Sequence, residues 1–137
     1  MDLKETIRSI PDWPIKGVIF RDLTTLMQNP LAFKKSCDIL YDRYKDMSID
    51  KIVGIDARGF VFGAVLAYKL GIGFIPVRKK GKLPWKTIQE TYSLEYGEDT
   101  LEIHEDAVEK GEKVVIVDDL IATGGTVGAT VKLVKKL

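Results

Sequence analysis

The stretch VVIVDDLIATGGT, residues 114–126, decides the fold, because it joins a strand pattern to a polar turn and then to a helix pattern. An uninterrupted apolar strand such as VVIV is typical of a parallel sheet that is covered on both faces. The apolar spacing of GGTVGATVKLVKKL predicts a helix over 124–137. A buried strand that passes through a turn into a helix indicates an α/β domain.

The same order of strand, turn and helix occurs earlier in the chain. KIVGID (51–56) predicts a strand, GFVFGAVLAYKL (59–70) a helix ended by Gly71, and GFIPVRK (73–79) another strand. These elements predict an α/β fold in which a mostly parallel sheet is flanked by helices, with one domain over 1–137. Weaker patterns predict helices over 3–10, 29–44 and 104–110, and strand-like segments over 87–94 and 99–103.

Composition excludes several classes of protein. The chain has 21 Lys and Arg against 20 Asp and Glu, a net charge of +1, which argues against a general nucleic-acid binder. It has one His and one Cys, which excludes a His/Cys zinc site. A single cysteine suits a reducing cytosol, and no apolar run approaches the length of a membrane span. We therefore expect a cytoplasmic protein without nucleic-acid or membrane partners.

The residues after the strand VVIV have the chemistry of a sugar phosphate site. Gly124 and Gly125 leave backbone N–H groups accessible at the start of a helix, where a phosphate is favoured. Asp118 and Asp119 would repel a phosphate but can accept hydrogen bonds from neutral hydroxyls beside it. A turn with Asp at a strand end is common by itself, but the combination predicts a phosphate site next to a sugar diol.

This stretch resembles the phosphoribosyl pyrophosphate motif of the type I phosphoribosyltransferases, an apolar strand, two acidic residues and a loop that closes in TGGT. The resemblance implies that Asp118 and Asp119 bind the ribose hydroxyls. It assigns the 5′-phosphate to the loop residues Ala122, Thr123, Gly124, Gly125 and Thr126. It also implies a mobile hood over about 79–100.

Three further stretches resemble the adenine phosphoribosyltransferases within that family. GVIFRD (17–22) is similar to their base-binding segment, expected here over about 11–28, and implies base contacts from Ile19, Phe20 and Arg21. GIDARGFVFG (54–63) is similar to the pyrophosphate loop. That loop assigns pyrophosphate binding to Ala57, Arg58 and Gly59, and often has a cis peptide, here Asp56–Ala57.

The stretches RKKGKLPWKT (78–87) and YSLEYG (92–97) resemble the catalytic hood of the family. Its cations, Arg78, Lys79, Lys80 and Lys82, suit a charged leaving group, and the resemblance assigns pyrophosphate contact to Arg78, Lys79 and Lys82. Glu95 and Tyr96 match the catalytic glutamate and the adjacent tyrosine. Taken alone, these residues would be read as a solvated loop.

The resemblance implies transfer of the phosphoribosyl group from phosphoribosyl pyrophosphate to adenine, giving AMP and pyrophosphate for purine salvage. It implies Mg²⁺ that arrives with phosphoribosyl pyrophosphate, because no dedicated metal cage is visible in the sequence. It also implies a homodimer. Family members continue past the motif helix, so we expect their next sheet strand to be absent from a chain that ends at Leu137.

Three alternatives remain from the sequence. The base could be hypoxanthine, xanthine or orotate, because few contacts set base choice, although GVIFRD favours adenine. The domain could be a regulator that senses phosphoribosyl pyrophosphate without catalysis, although near-neutral charge gives it no docking surface for nucleic acid. The domain could also bind ligand without turnover.

Overall fold

A computed structural model describes residues 1–94, 97–119 and 124–137. The chain divides into two compact units, 1–43 and 44–137. No helix among the described residues has the length and apolar character needed to cross a membrane. The second unit carries most of the predicted site.

A five-stranded mixed sheet forms the centre of the second unit. Its strands are β3 (Lys51–Ile55), β4 (Gly73–Lys79), β5 (Thr87–Leu94), β6 (Gly97–His104) and β7 (Val114–Val117), and they lie side by side in the order β5-β6-β4-β3-β7. Strand β3 pairs in parallel with β4 on one side and with β7 on the other. The predicted α/β fold is confirmed, with a parallel portion that consists of β4, β3 and β7.

Alternating side chains on β3 give the sheet two buried faces. Ile52 points toward helix α3 (Arg58–Leu70), which packs on β3, β4 and β7. Val53 and Ile55 belong to the opposite core, which includes Leu133 of helix α4 (Gly125–Lys136). Neighbouring strand residues face opposite sides, so a run of apolar residues fills both cores at once.

Two glycines create a slot for one aromatic ring beneath α3. A Cβ on Gly54 would lie 2.5 Å from the ring of Phe74, and a Cβ on Gly63 would lie 2.9 Å from the same ring. The Phe74 ring therefore occupies the space that two side chains would otherwise fill. Gly54 lies in β3 and Gly63 in α3, so the slot sets how closely the helix approaches the sheet.

Strands β5 and β6 form an antiparallel hairpin that extends the sheet beyond β4. Arg78 and Lys79 of β4 pair antiparallel with Glu102 and Leu101 of β6. The hairpin confirms the strand-like alternation expected over 87–94 and 99–103, and β6 is longer than expected at both ends. Helix α4 packs on β5 and β6, which gives the hairpin a buried face.

The first unit contains a small two-stranded sheet and two helices. Strand β1 (Arg8–Pro11) pairs antiparallel with β2 (Ile19–Asp22), and α1 (Thr24–Gln28) and α2 (Pro30–Tyr44) follow. The Asn29 side chain accepts hydrogen bonds from the backbone N–H groups of Leu31 and Ala32, at 3.1 and 3.2 Å. This cap confirms the helix start predicted from Asn29-Pro30.

Two of the predicted helices are wrong. Over 3–10 only a 3-10 turn, Leu3–Thr6, is present, and strand β1 follows it because its backbone pairs with β2. Over 104–110 the chain forms turns. There the N–H of Glu105 donates to the carbonyl of Lys86, and the N–H of Glu109 donates to the Glu112 carboxylate. In a helix the N–H of Glu109 would donate to the carbonyl of Glu105, so its side-chain acceptor replaces a helical hydrogen bond.

Candidate active site

The carboxyl ends of β4, β3 and β7 bring three predicted groups of residues to one edge of the sheet. Arg78 lies near the end of β4, Arg58 follows β3 at the start of α3, and Asp118 and Asp119 follow β7. Because the three strands are parallel neighbours, residues far apart in sequence become adjacent here. Ligands of open parallel sheets bind at this edge.

An ion pair joins the predicted pyrophosphate residue Arg58 to the predicted ribose residue Asp119. Nε of Arg58 lies 2.6 Å from Oδ2 of Asp119. The Asp119 side chain is only 11% exposed, whereas that of Arg58 is 41% exposed. The guanidinium therefore holds a largely buried carboxylate and still presents part of its surface to solvent.

Gly59 allows α3 to begin in contact with the end of β7. A Cβ on Gly59 would lie 2.5 Å from the carbonyl oxygen of Val117 and 3.2 Å from Cα of Asp118. No side chain fits in that space without a shift of backbone. The sequence assigned Gly59 to pyrophosphate binding by resemblance, and the structure shows a packing reason for a glycine at this position.

Burial is the main cause that raises the pKa of Asp118 to about 6, and the neighbouring Asp119 carboxylate contributes in the same direction. The backbone N–H of Asp119, which donates to Oδ1 of Asp118 at 2.8 Å, and the charge of Arg58 act in the opposite direction on this pKa. The two adjacent aspartates are therefore unequal. Asp119 forms an ion pair with Arg58, whereas Asp118 remains protonated at mildly acidic pH because its pKa is raised.

Two more predicted pyrophosphate cations are paired with carboxylates. Nε of Arg78 lies 3.0 Å from Oδ2 of Asp56, and Nζ of Lys79 lies 3.1 Å from Oδ2 of Asp99. The cis peptide expected between Asp56 and Ala57 is present. The segment from Asp56 to Arg58 is thus joined to β4 by the ion pair of Asp56 with Arg78, and to the end of β7 by the ion pair of Arg58 with Asp119.

The glycine turn leads into α4 as the sequence predicted. Gly124 has a positive φ of 83°, and its carbonyl accepts a hydrogen bond from the N–H of Gly128 at 2.7 Å. A cavity of about 320 Å³ separates these first turns from β5. Its lining includes Gly124, Gly125 and Lys132 from the helix side, and Tyr92 and Ser93 from the strand.

Several predicted site residues lie outside the described part of the chain. They are Glu95 and Tyr96, assigned to catalysis, and Ala122 and Thr123, assigned to the 5′-phosphate. Thr126, also assigned to the 5′-phosphate, lies in the first turn of α4, where its carbonyl accepts a hydrogen bond from the Thr130 hydroxyl. The roles of all these residues stay predictions.

The predicted base-binding residues lie on β2 in the first unit. Ile19 and Arg21 are exposed, and the Arg21 guanidinium donates a hydrogen bond to the Ser9 hydroxyl. The Phe20 ring packs against Trp13, with 4.6 Å between the ring centroids. The Trp13 side chain is half exposed beside this predicted base contact, and the sequence motifs gave it no role.

Comparison with known proteins identifies the family. The phosphoribosyl transferase domain matches residues 22–137. The chain is 69% identical over 137 residues to the adenine phosphoribosyltransferase of Desulfosudis oleivorans, which covers all of this chain and 79% of that protein. This chain belongs to the adenine phosphoribosyltransferase family.

Solved adenine phosphoribosyltransferases have the same fold. The enzyme from Thermoanaerobacter pseudethanolicus is 53% identical, with a TM-score of 0.94 over 98% of this chain and 78% of that one. The Saccharomyces cerevisiae adenine phosphoribosyltransferase is 44% identical, with a TM-score of 0.92 over 98% of this chain and 79% of that one. That yeast structure contains adenine and an imino-altritol bisphosphate. The type I phosphoribosyltransferase fold expected from the sequence is confirmed.

Proposed function

We propose that this protein transfers the phosphoribosyl group of phosphoribosyl pyrophosphate to adenine, giving AMP and pyrophosphate. Its membership of the adenine phosphoribosyltransferases over the whole chain is the observation that carries this function. The juxtaposition of Arg58, Asp118 and Asp119 at the carboxyl edge of the sheet supports the same reaction.

The sugar phosphate half of the substrate would bind at β7 and the start of α4. Asp118 and Asp119 would accept hydrogen bonds from the ribose hydroxyls, since carboxylates are acceptors. Gly124, Gly125 and Thr126, with Ala122 and Thr123, would bind the 5′-phosphate through backbone N–H groups and hydroxyls. The helix N-terminus favours an anion there. The cavity of about 320 Å³ beside Gly124 and Gly125 offers space next to this turn.

The leaving group would bind to Arg58, Arg78, Lys79 and Lys82, with Ala57 and Gly59 contributing backbone. Arg58 and Arg78 already have carboxylate partners, so pyrophosphate would share or replace Asp119 and Asp56 as their partners. A guanidinium can bind two oxygens at once, which suits pyrophosphate. These cations would stabilise the negative charge that develops as the leaving group departs.

In the reaction N9 of adenine forms a bond to C1 of the ribose, while the C1–O bond to pyrophosphate breaks and its electron pair stays on the leaving oxygen. The proton on N9 is released. The transition state has oxocarbenium character, so the site must stabilise positive charge on the ring and negative charge on pyrophosphate. Glu95 is the proposed group for proton handling or for support of the cation, with Tyr96 beside it.

Adenine would bind at β2. Ile19 and its backbone would read the base edge, Phe20 would pack near the ring, and Arg21 would support the site. The packing of Trp13 against Phe20 stiffens this region and adds a second aromatic surface. The base specificity of the family relatives supports adenine over hypoxanthine, xanthine or orotate.

Mg²⁺ would enter with phosphoribosyl pyrophosphate. Among the described residues, no group of three or more His, Cys, Asp or Glu side chains is placed to form a metal cage. Mg²⁺ usually keeps several waters and binds readily through substrate phosphates, so phosphoribosyl pyrophosphate would carry the ion into the site. The ion would neutralise charge on the leaving pyrophosphate. A homodimer, a cytoplasmic location and a role in purine salvage are part of the same proposal.

The test is an assay of nucleotide formation from phosphoribosyl pyrophosphate and Mg²⁺ with adenine, hypoxanthine, guanine or orotate. We expect AMP from adenine and little product from the other bases. Product from another base alone would change the assigned specificity. A folded protein that binds phosphoribosyl pyrophosphate and forms no nucleotide would overturn the enzyme and leave a sensor.

A further inference from the structure

Glu102 is a buried carboxylate to which neither the sequence motifs nor the family resemblance gives a role. It lies in β6 between Leu101 and Ile103, whose side chains are in the core. Glu102 itself is only 8% exposed. Burial of a carboxylate is costly unless hydrogen bonds compensate for the lost water, so its partners are informative.

Both oxygens of Glu102 accept hydrogen bonds from the segment that joins β4 to β5. Oε1 accepts from the backbone N–H of Gly81 at 2.7 Å, and Oε2 accepts from the Thr87 hydroxyl at 2.7 Å. Gly81 lies at the start of the connecting segment and Thr87 at its end. One side chain from a neighbouring strand therefore fixes both ends of this connection.

The fixed segment carries the cations assigned to the leaving group. We define residues 78–82, RKKGK, as the basic turn. Its backbone is held further by the N–H of Lys80, which donates to Thr100 at 3.1 Å, and that of Lys82, which donates to Lys79 at 3.2 Å. Gly81 has a positive φ of 87°, so the turn reverses at the residue that Glu102 contacts.

The ionised state of Glu102 suits this role. The hydrogen bonds from the Thr87 hydroxyl and from the Gly81 N–H lower the pKa of its carboxyl, against the effect of burial. At neutral pH it is therefore an acceptor at both oxygens. A charged acceptor also forms stronger hydrogen bonds than a neutral one.

We propose that Glu102 is a positioning residue, which fixes the basic turn so that its cations meet the pyrophosphate of the substrate. This inference rests on the proposed function of Arg78, Lys79 and Lys82. Glu102 would touch no substrate atom. It would act through Gly81 and Thr87, and its effect would appear in the binding of pyrophosphate rather than in the binding of adenine or AMP.

The experiment compares wild-type protein with Glu102→Ala and Glu102→Gln in both directions of the reaction. In Glu102→Ala we expect KM for phosphoribosyl pyrophosphate, and KM for pyrophosphate in the reverse reaction, to rise about tenfold or more, because misplacement by about 1 Å is costly. KM for adenine and for AMP should change far less. In Glu102→Gln the amide oxygen can still accept from Gly81, and the Thr87 hydroxyl can turn to accept from the amide, so most of the affinity for pyrophosphate should return.

Two further variants separate positioning from loss of folding. Thr87→Val removes one of the two contacts and should give a smaller rise in the same two KM values. Glu105→Ala removes an exposed carboxylate just beyond β6 and should leave all parameters unchanged. If Glu102→Ala is folded and its pyrophosphate KM equals that of wild type, or if all substrates weaken equally, the positioning role is wrong. If wild-type protein makes no AMP, the proposed function itself fails.

Discussion

Two regions of the molecule present cations to the proposed leaving group in different ways. At the strand-end site, which we define as Arg58, Asp118 and Asp119, charged side chains contact one another directly and are partly buried. In the basic turn the lysines are largely exposed, as the 67% exposure of the Lys79 side chain shows, and the buried carboxylate of Glu102 holds the backbone in addition to the side-chain ion pairs. The strand-end site therefore positions its charges by a part-buried ion pair, whereas the basic turn also depends on a carboxylate that positions its backbone.

The largest effect is expected at the strand-end site. Arg58→Ala should lower kcat/KM for phosphoribosyl pyrophosphate about 10²- to 10³-fold, because it removes a cation that stabilises the charge on the leaving group and removes the ion-pair partner of Asp119. AMP formation measures the effect. Lys110→Ala, in an exposed turn, serves as a control that should keep wild-type kcat/KM. Equal activities of Arg58→Ala and wild type would remove the strand-end site from the mechanism.

Gly59→Ala tests whether the strand-end site depends on close backbone contact. The new Cβ would meet the Val117 carbonyl at 2.5 Å, so α3 must shift, and we expect a loss of about 2 kcal/mol in the free energy of unfolding. Urea unfolding measures it. Gly128→Ala in α4 is the matched control, because nothing lies within 4 Å of its Cβ and alanine favours a helix by about 0.5–1 kcal/mol. A Gly59→Ala protein as stable as wild type would contradict the close contact.

The pH dependence of the stability of Asp118→Asn tests whether the pKa of Asp118 is raised in the folded protein. The pKa of Asp118 is raised to about 6 in the folded protein from an ordinary 3.8. The stability it contributes is therefore present below about pH 4 and is lost as pH rises through 6. Relative to wild type, Asp118→Asn should gain on the order of 1 kcal/mol between pH 4 and pH 7, since the site is part exposed. Thermal unfolding across this range measures the difference, and a difference independent of pH would show that Asp118 has an ordinary pKa.

The smallest effect is expected at the exposed ion pair of the basic turn. Asp99→Asn removes the partner of Lys79, and because Lys79 is exposed we expect less than about 1 kcal/mol change in the free energy of unfolding. The change should shrink further at high salt. Urea unfolding at low and high salt measures both. A loss comparable to that of Gly59→Ala would mean that the basic turn depends on side-chain pairing, as the strand-end site does.

The sequence predicts where Arg58, Asp118 and Asp119 lie in the fold, because that information is local. Strands β3, β4 and β7 are rich in apolar residues, and each ends at or just before residues assigned to the site. Once the strands are taken as parallel, their ends must meet at one edge. The helix over 59–70 and the helix start at Asn29-Pro30 follow from equally local patterns.

Tertiary contacts decide what the sequence does not predict. Glu102 sits in LEIH, an alternation that reads as an ordinary half-buried strand, and its two partners are 21 and 15 residues away. The segment 104–110 is not a helix, since the N–H of Glu109 donates to the Glu112 side chain and the N–H of Glu105 holds the chain against Lys86, just before β5. The contact of Trp13 with Phe20 likewise requires the pairing of β1 with β2.

The slot formed by Gly54 and Gly63 for the Phe74 ring links three positions that lie in three different elements. A methyl group at either glycine collides with the ring, while a small residue in place of Phe74 leaves an empty space that one added methyl group fills only in part. These positions should therefore change together or not at all, and their substitutions should be strongly non-additive. Arg58 is the first residue of α3, and the Phe74 ring sets the distance between α3 and the sheet. The size of this ring therefore also sets how far the Arg58 backbone lies from the sheet.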